Sequence, residues 1–153
     1  MKGIVGLVLG AMFGAVVAFG ACGGDAPRSN DVLFAKRNDI TALWTQIRTW
    51  RHEAHMDLDP SPQTMNQLVN RTVKYAETVC AENHKVPKAC DDVCNLSDAI
   101  CDNAEAICKI ADELGKDDDY AQEKCTSAKA SCREAKQKCC NCSTKEPEAV
   151  ESR

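Results

Sequence analysis

Glycine is nearly absent from most of this chain. Of its 8 glycines, seven fall within the first 24 residues and the eighth is Gly115. A loop that cradles phosphate needs glycine where backbone approaches the ligand, and a nucleophile elbow needs it at a sharp turn. Neither motif can be built beyond residue 24. Aromatic residues make up 5% of the chain, and no stretch alternates β-branched or aromatic residues with polar ones, so strand signals are missing. Charge is not concentrated in one sign either: 19 basic residues face 23 acidic ones, a formal net charge of −4. A surface of that kind argues against nucleic acid as a partner and against a polybasic grip on anionic lipid.

What remains is helix former between well-placed breakers. Beyond residue 30 the prolines are Pro60, Pro62, Pro87 and Pro147. They and Gly115 leave four uninterrupted helical segments, about 30–57, 62–85, 88–114 and 118–141. The fold class predicted is all-α, an antiparallel bundle of about four helices. The first helix, with Asn30 or Asp31 as cap, carries the stripe Leu33, Ile40, Leu43, Trp44, Ile47, Trp50 and Ala54. The second opens on Ser61 as N-cap with Pro62 at the first helical position. Its stripe is Met65, Leu68, Val69, Thr72, Ala76, Val79 and Cys80. The short link 57–61 makes these two an antiparallel hairpin over residues 31–86.

The second half, residues 87–142, is set by cysteine spacing. Cys94, Cys101 and Cys108 are seven residues apart, as are Cys125, Cys132 and Cys139. Seven residues turn a helix through 700°, so each set shifts by only about 20° per step and stays on one face. The pairs Cys94–Cys139, Cys101–Cys132 and Cys108–Cys125 all have positions adding to 233, so a single antiparallel register joins all three. The midpoint falls between Lys116 and Asp117, in a turn after Gly115, which is placed to end the third helix. This is a helical hairpin cross-linked by a disulfide ladder. One position before each cysteine of the third helix lies an apolar row, Val93, Ile100, Ile107 and Leu114, expected to pack on the N-terminal hairpin. The fourth helix, capped by Asp118 or Asp119, offers small residues such as Ala121, Ala128 and Ala135, each four positions before a cysteine. With so little apolar bulk it is expected to depend on the covalent rungs. Four cysteines remain at one end: register favours Cys90–Cys142 and leaves Cys80 for Cys140.

The first residues carry an address. Met1-Lys2 and the apolar run to Phe19 read as an export signal, residues 1–21, too short and glycine-broken to span a membrane. Phe19-Gly20-Ala21-Cys22 resembles a bacterial lipoprotein signal, in which the cysteine is diacylated and becomes the mature N-terminus. Eleven cysteines is an odd number for an exported chain, and assigning Cys22 to lipid leaves ten for five bridges. Without Lys2 the mature charge is 18 basic against 23 acidic residues, or −5. In such lipoproteins an aspartate after the cysteine favours inner-membrane retention; Gly23 stands here, which implies the outer membrane. Residues 22–30 then form a lipidated flexible tether, 31–142 the helical domain and 143–153 a disordered tail.

Other constellations are weaker. Cys139-Cys140-Asn141-Cys142 has a C-x-x-C spacing, and Cys80, Cys90, Cys140 and Cys142 together make the alternative reading of a thiolate metal or redox cluster. His52-Glu53-Ala54-His55 is one residue short of the zinc-protease spacing, and with Asp57 and Asp59 reads better as a solvated helix end. His84 complements a helix C-terminus, and Asp117-Asp118-Asp119 reads as turn and cap. No cofactor site and no catalytic set emerges, so the expectation is non-enzymatic.

Over residues 91–142 the segments DVCNLSDAICDNAEAICKIADELG and EKCTSAKASCREAKQKCCNC resemble a cysteine-rich helical module of lipoproteins from gliding, predatory Gram-negative bacteria. The resemblance implies architecture and location without an activity. The expected protein is an outer-membrane lipoprotein with a structural or partner-binding role. Its partners would be the membrane, through the acyl anchor, and an envelope protein.

Overall fold

The computed structural model describes residues 29–81 and 85–142. Those residues are all helical apart from connections. The elements are α1 (Ser29–Glu53), α2 (Pro62–Leu68), α3 (Val73–Glu77), α4 (Asp91–Leu114) and α5 (Asp119–Asn141), with one 3-10 turn, Lys88–Cys90, leading into α4. The five helices pack together, and five disulfides link the C-terminal ones.

The hairpin of α4 and α5 is the frame. Gly115, at φ 95°, ends α4 and donates its N–H to the Ala111 carbonyl at 3.0 Å. Between the two candidate caps the structure selects Asp118, whose carboxylate accepts the Ala121 N–H at 3.0 Å. Gln122 ties the turn back by donating to the carbonyls of Ala111 and Gly115, both at 3.1 Å.

Helix α1 lies along this frame, antiparallel to α4 and parallel to α5. Lys36 meets Glu113, and Asn103 donates to the Leu43 carbonyl and to Gln46. Along α5 the sequence of contacts runs Thr41 with Tyr120, then Arg51 with Glu134. The apolar row of α4 meets the α1 stripe as expected, with Ile100 and Ile107 buried against Ile40, Trp44 and Ile47 in one core cluster. Neither Asn30 nor Asp31 is a cap, because α1 is already helical at Ser29.

Three further expectations need correction. The second helix is not continuous from 62 to 85. It breaks after Leu68 and resumes at Val73, where Thr72 accepts the Tyr75 N–H as a new N-cap. No glycine or proline marks the break. The β-branched Val69, Thr72 and Val73 and the polar Asn70 weaken the helix there, and the threonine hydroxyl offers the backbone a competing partner. Lys129 of α5 fills the gap by donating to the Val69 and Arg71 carbonyls at 3.2 and 2.9 Å.

Nor do residues 31–86 form a self-packed hairpin. Helix α1 rests on α4 and α5, while α2 rests on α5 and α3 on both α5 and α4.

The last correction concerns α5. Far from burying little, it is the centre of the molecule, touched by α1, α2, α3 and α4. Every residue from Ser127 to Cys132 is buried. Small side chains are the cause. A helix of alanine, serine and cysteine presents a narrow surface that neighbours can approach from several sides. Helix α4 matches it along the seam with Ser97, Ala104 and Ala111, all buried.

Candidate functional site

The dominant chemical feature is the column of sulfur between α4 and α5. Cys94–Cys139, Cys101–Cys132 and Cys108–Cys125 are disulfides with Cα–Cα distances of 4.8, 4.7 and 4.6 Å. Adding two helix radii of about 2.3 Å puts the axes about 9 Å apart, inside the normal 8–10 Å range for packed helices. Heptad spacing keeps the cysteines in line, and alanines four positions earlier allow the approach. The middle rung is almost fully buried, Cys101 at 1% and Cys132 at 0% exposure.

Two further bridges close the far end. Cys90–Cys142 joins the 3-10 turn to the end of α5, and Cys80–Cys140 joins the segment after α3 to the same place. The four cysteines weighed as a thiolate cluster are therefore together in space but paired as disulfides, and offer no thiolate in this form. Glu77 at the end of α3 lies within 4.8 Å of the sulfurs of Cys101 and Cys132. Because those two sulfurs are bonded to each other, the trio is a carboxylate beside a disulfide and not a ligand set. Cys22 and His84 lie outside the described residues.

The histidine and aspartate group near the end of α1 does not converge. His52, Glu53, His55, Asp57 and Asp59 are all exposed, and His55 adopts φ 54° where the chain leaves the helix. What organises this region is Arg51, 1% exposed. Its guanidinium donates to the Asp57 carbonyl at 2.7 Å, the Asp59 carbonyl at 3.2 Å and the Glu134 carboxylate at 2.8 Å. The second Glu134 oxygen accepts the Ser61 N–H at 2.9 Å. Burial pushes the Glu134 carboxyl upward, but the Ser61 N–H and the Arg51 guanidinium outweigh it and hold the group below the usual carboxylate value. One ion pair thus fastens α1, the 54–61 link and α5. The signal for it was in the sequence, since Arg51 continues the stripe of Ile40, Trp44 and Ile47 in steps of three and four.

Lys129 is buried as well, 6% exposed, with its pKa lowered chiefly by burial. It forms part of the floor of a groove of about 850 Å³ between the α2–α3 link and α4. Arg71 and Lys74 line one wall, and Asp102, Glu105 and Asp112 of α4 line the other. Among the described residues the groove lining includes no histidine, and its two cysteines, Cys108 and Cys125, are bonded to each other. No described helix is long and apolar enough to cross a membrane.

Compared with protein families, curated proteins and solved structures, the chain matches none.

Proposed function

We propose that this is an outer-membrane lipoprotein with a non-enzymatic role in the cell envelope, structural or partner-binding. One observation carries the reading. The ten cysteines from Cys80 to Cys142 form five bridges with one another, so Cys22 is the one cysteine outside them. It also ends the lipoprotein-like segment Phe19-Gly20-Ala21-Cys22. Five disulfides belong to an oxidising compartment, which agrees with export. The disulfide-braced bundle then serves as a stiff body on a lipid-anchored tether. The alternative of a thiol-based metal or redox protein requires Cys80, Cys90, Cys140 or Cys142 to be reduced.

Replacing Cys22 with Ser tests the anchor. Mass spectrometry of the exported wild type should find a diacylated Cys22 as first residue, and the Cys22→Ser protein should leave the detergent phase. A variant that stays membrane-bound at normal mature size, with no acyl mass in the wild type, would refute the reading. A thiol titration of the exported protein should find none, whereas two to four would favour the thiol alternative.

A further inference from the structure

Helix α1 is longer than its support. The first ion pairs that tie it to the hairpin among the described residues are Lys36 with Glu113 at 2.9 Å and Arg37 with Asp118 at 3.0 Å. Both partners sit at the α4–α5 turn, which is the end of the frame. At 1.5 Å per residue, 29–35 therefore continue about 10 Å past these ties. On this overhang Val32 is 41% and Phe34 67% exposed, with Leu33 half-buried between them. Successive positions are 100° apart, so the three side chains spread over about 200° of the helix. A stripe suits a neighbouring helix. An apolar collar at a projecting end suits a medium that surrounds the end.

We infer that this collar is a second membrane contact, an apolar plug that enters the interfacial layer of the bilayer holding the Cys22 lipid. The inference rests on the lipoprotein reading. Six residues, 23–28, separate Cys22 from Ser29, and the seven steps between them reach at most about 25 Å, so the anchored membrane lies within range of the collar. The opposite end of the bundle, with Cys80–Cys140 and Cys90–Cys142, is about 35 Å away along the 23 residues of α5. Charge selects the kind of surface. Lys36 and Arg37 are committed to Glu113 and Asp118, and among the other exposed charges at this end the acidic Asp31, Asp117 and Asp119 outnumber the one base, Lys116. The contact is therefore made by apolar side chains and does not need anionic lipid. Two or three such side chains bind weakly alone. Tethered a few residues from an acyl anchor, they act at high effective concentration.

The test uses the acylated full chain in vesicles of phosphatidylethanolamine and phosphatidylcholine, beside Val32→Ser/Phe34→Ser and Phe34→Trp. Both altered positions are exposed, so the bundle is undisturbed. Hydrogen exchange over residues 32–38 should be slowed about ten-fold in the wild type and in Phe34→Trp relative to the double variant. The double variant should stay vesicle-bound through its lipid. Equal exchange in all three, with all vesicle-bound, overturns the collar and leaves the anchor intact. A wild type with no acyl mass and no vesicle binding overturns both. Slowing that grows with the protein-to-lipid ratio would assign the collar to a second copy of the chain and overturn the membrane contact.

Discussion

Arg51 shows how a single side chain can decide a connection. A buried guanidinium is costly unless its charge and its donors are met, and removing one partner of such a pair leaves the other stranded. Arg51→Ala should destabilise the domain by about 3–5 kcal/mol in urea unfolding, since Glu134, 17% exposed, would lose its counter-charge. The pair also sets an acid limit. The folded pKa of Glu134 lies below its unfolded value near 4.5. Its contribution is therefore present above about pH 4.5 and is lost as pH falls through the folded value. The stability gap between wild type and Glu134→Gln, measured from pH 7 down to 3, should narrow with acid. A gap that stays constant would show that the carboxylate charge is not what holds the link. Ser131 presents the opposite case: its hydroxyl is fully buried with no hydrogen-bond partner among the described residues. Ser131→Ala should raise stability by about 1 kcal/mol, because alanine fits the same space without an unmet polar group.

At the scale of elements the lesson lies in α5. Its lack of large apolar residues reads from sequence as a lack of core, yet the same lack makes it the helix that four others can reach. Alanine periodicity and heptad cysteines specify the seam, and the register of the ladder was fully legible because two sets of spacings have one common solution. The break at 69–72 was not. It depends on Thr72 outcompeting a helical turn and on Lys129 arriving from another element to take the Val69 and Arg71 carbonyls, and no local window contains that lysine. Arg51 was hidden by its charge, although its spacing placed it in the core. Packing around α5 has a measurable consequence. Ala128, 0% exposed, has no room for branching, so Ala128→Leu should cost about 1–3 kcal/mol with all five bridges intact. A neutral effect in thermal or urea unfolding would mean that α5 is held by its rungs alone. Under reductant the same centrality sets the order of loss. Hydrogen exchange should rise first in residues 69–81, where helices are short and Cys80–Cys140 is a tether, and last in α5.

For the molecule as a whole the arrangement of ends matters more than any one contact. The chain enters the bundle at the α4–α5 turn, and α5, parallel to α1, leaves it at the far end beside Cys80–Cys140 and Cys90–Cys142. If the N-terminal side is fixed and the C-terminal side is pulled, tension does not follow the sequence. It passes along residues 29–80, crosses the Cys80–Cys140 sulfurs, and continues from Cys140 to Cys142. The 60-residue separation between those cysteines, including all of α4 and nearly all of α5, carries no load. Single-molecule stretching between residues 29 and 142 should therefore yield about 180 Å of fully extended chain, and about 200 Å more after reduction. Equal contour lengths in the two conditions would mean that the bypass is not there. One bridge near the exit turns the hairpin into a passenger on a short mechanical line, so a force that strips α1 to α3 leaves the laddered pair folded.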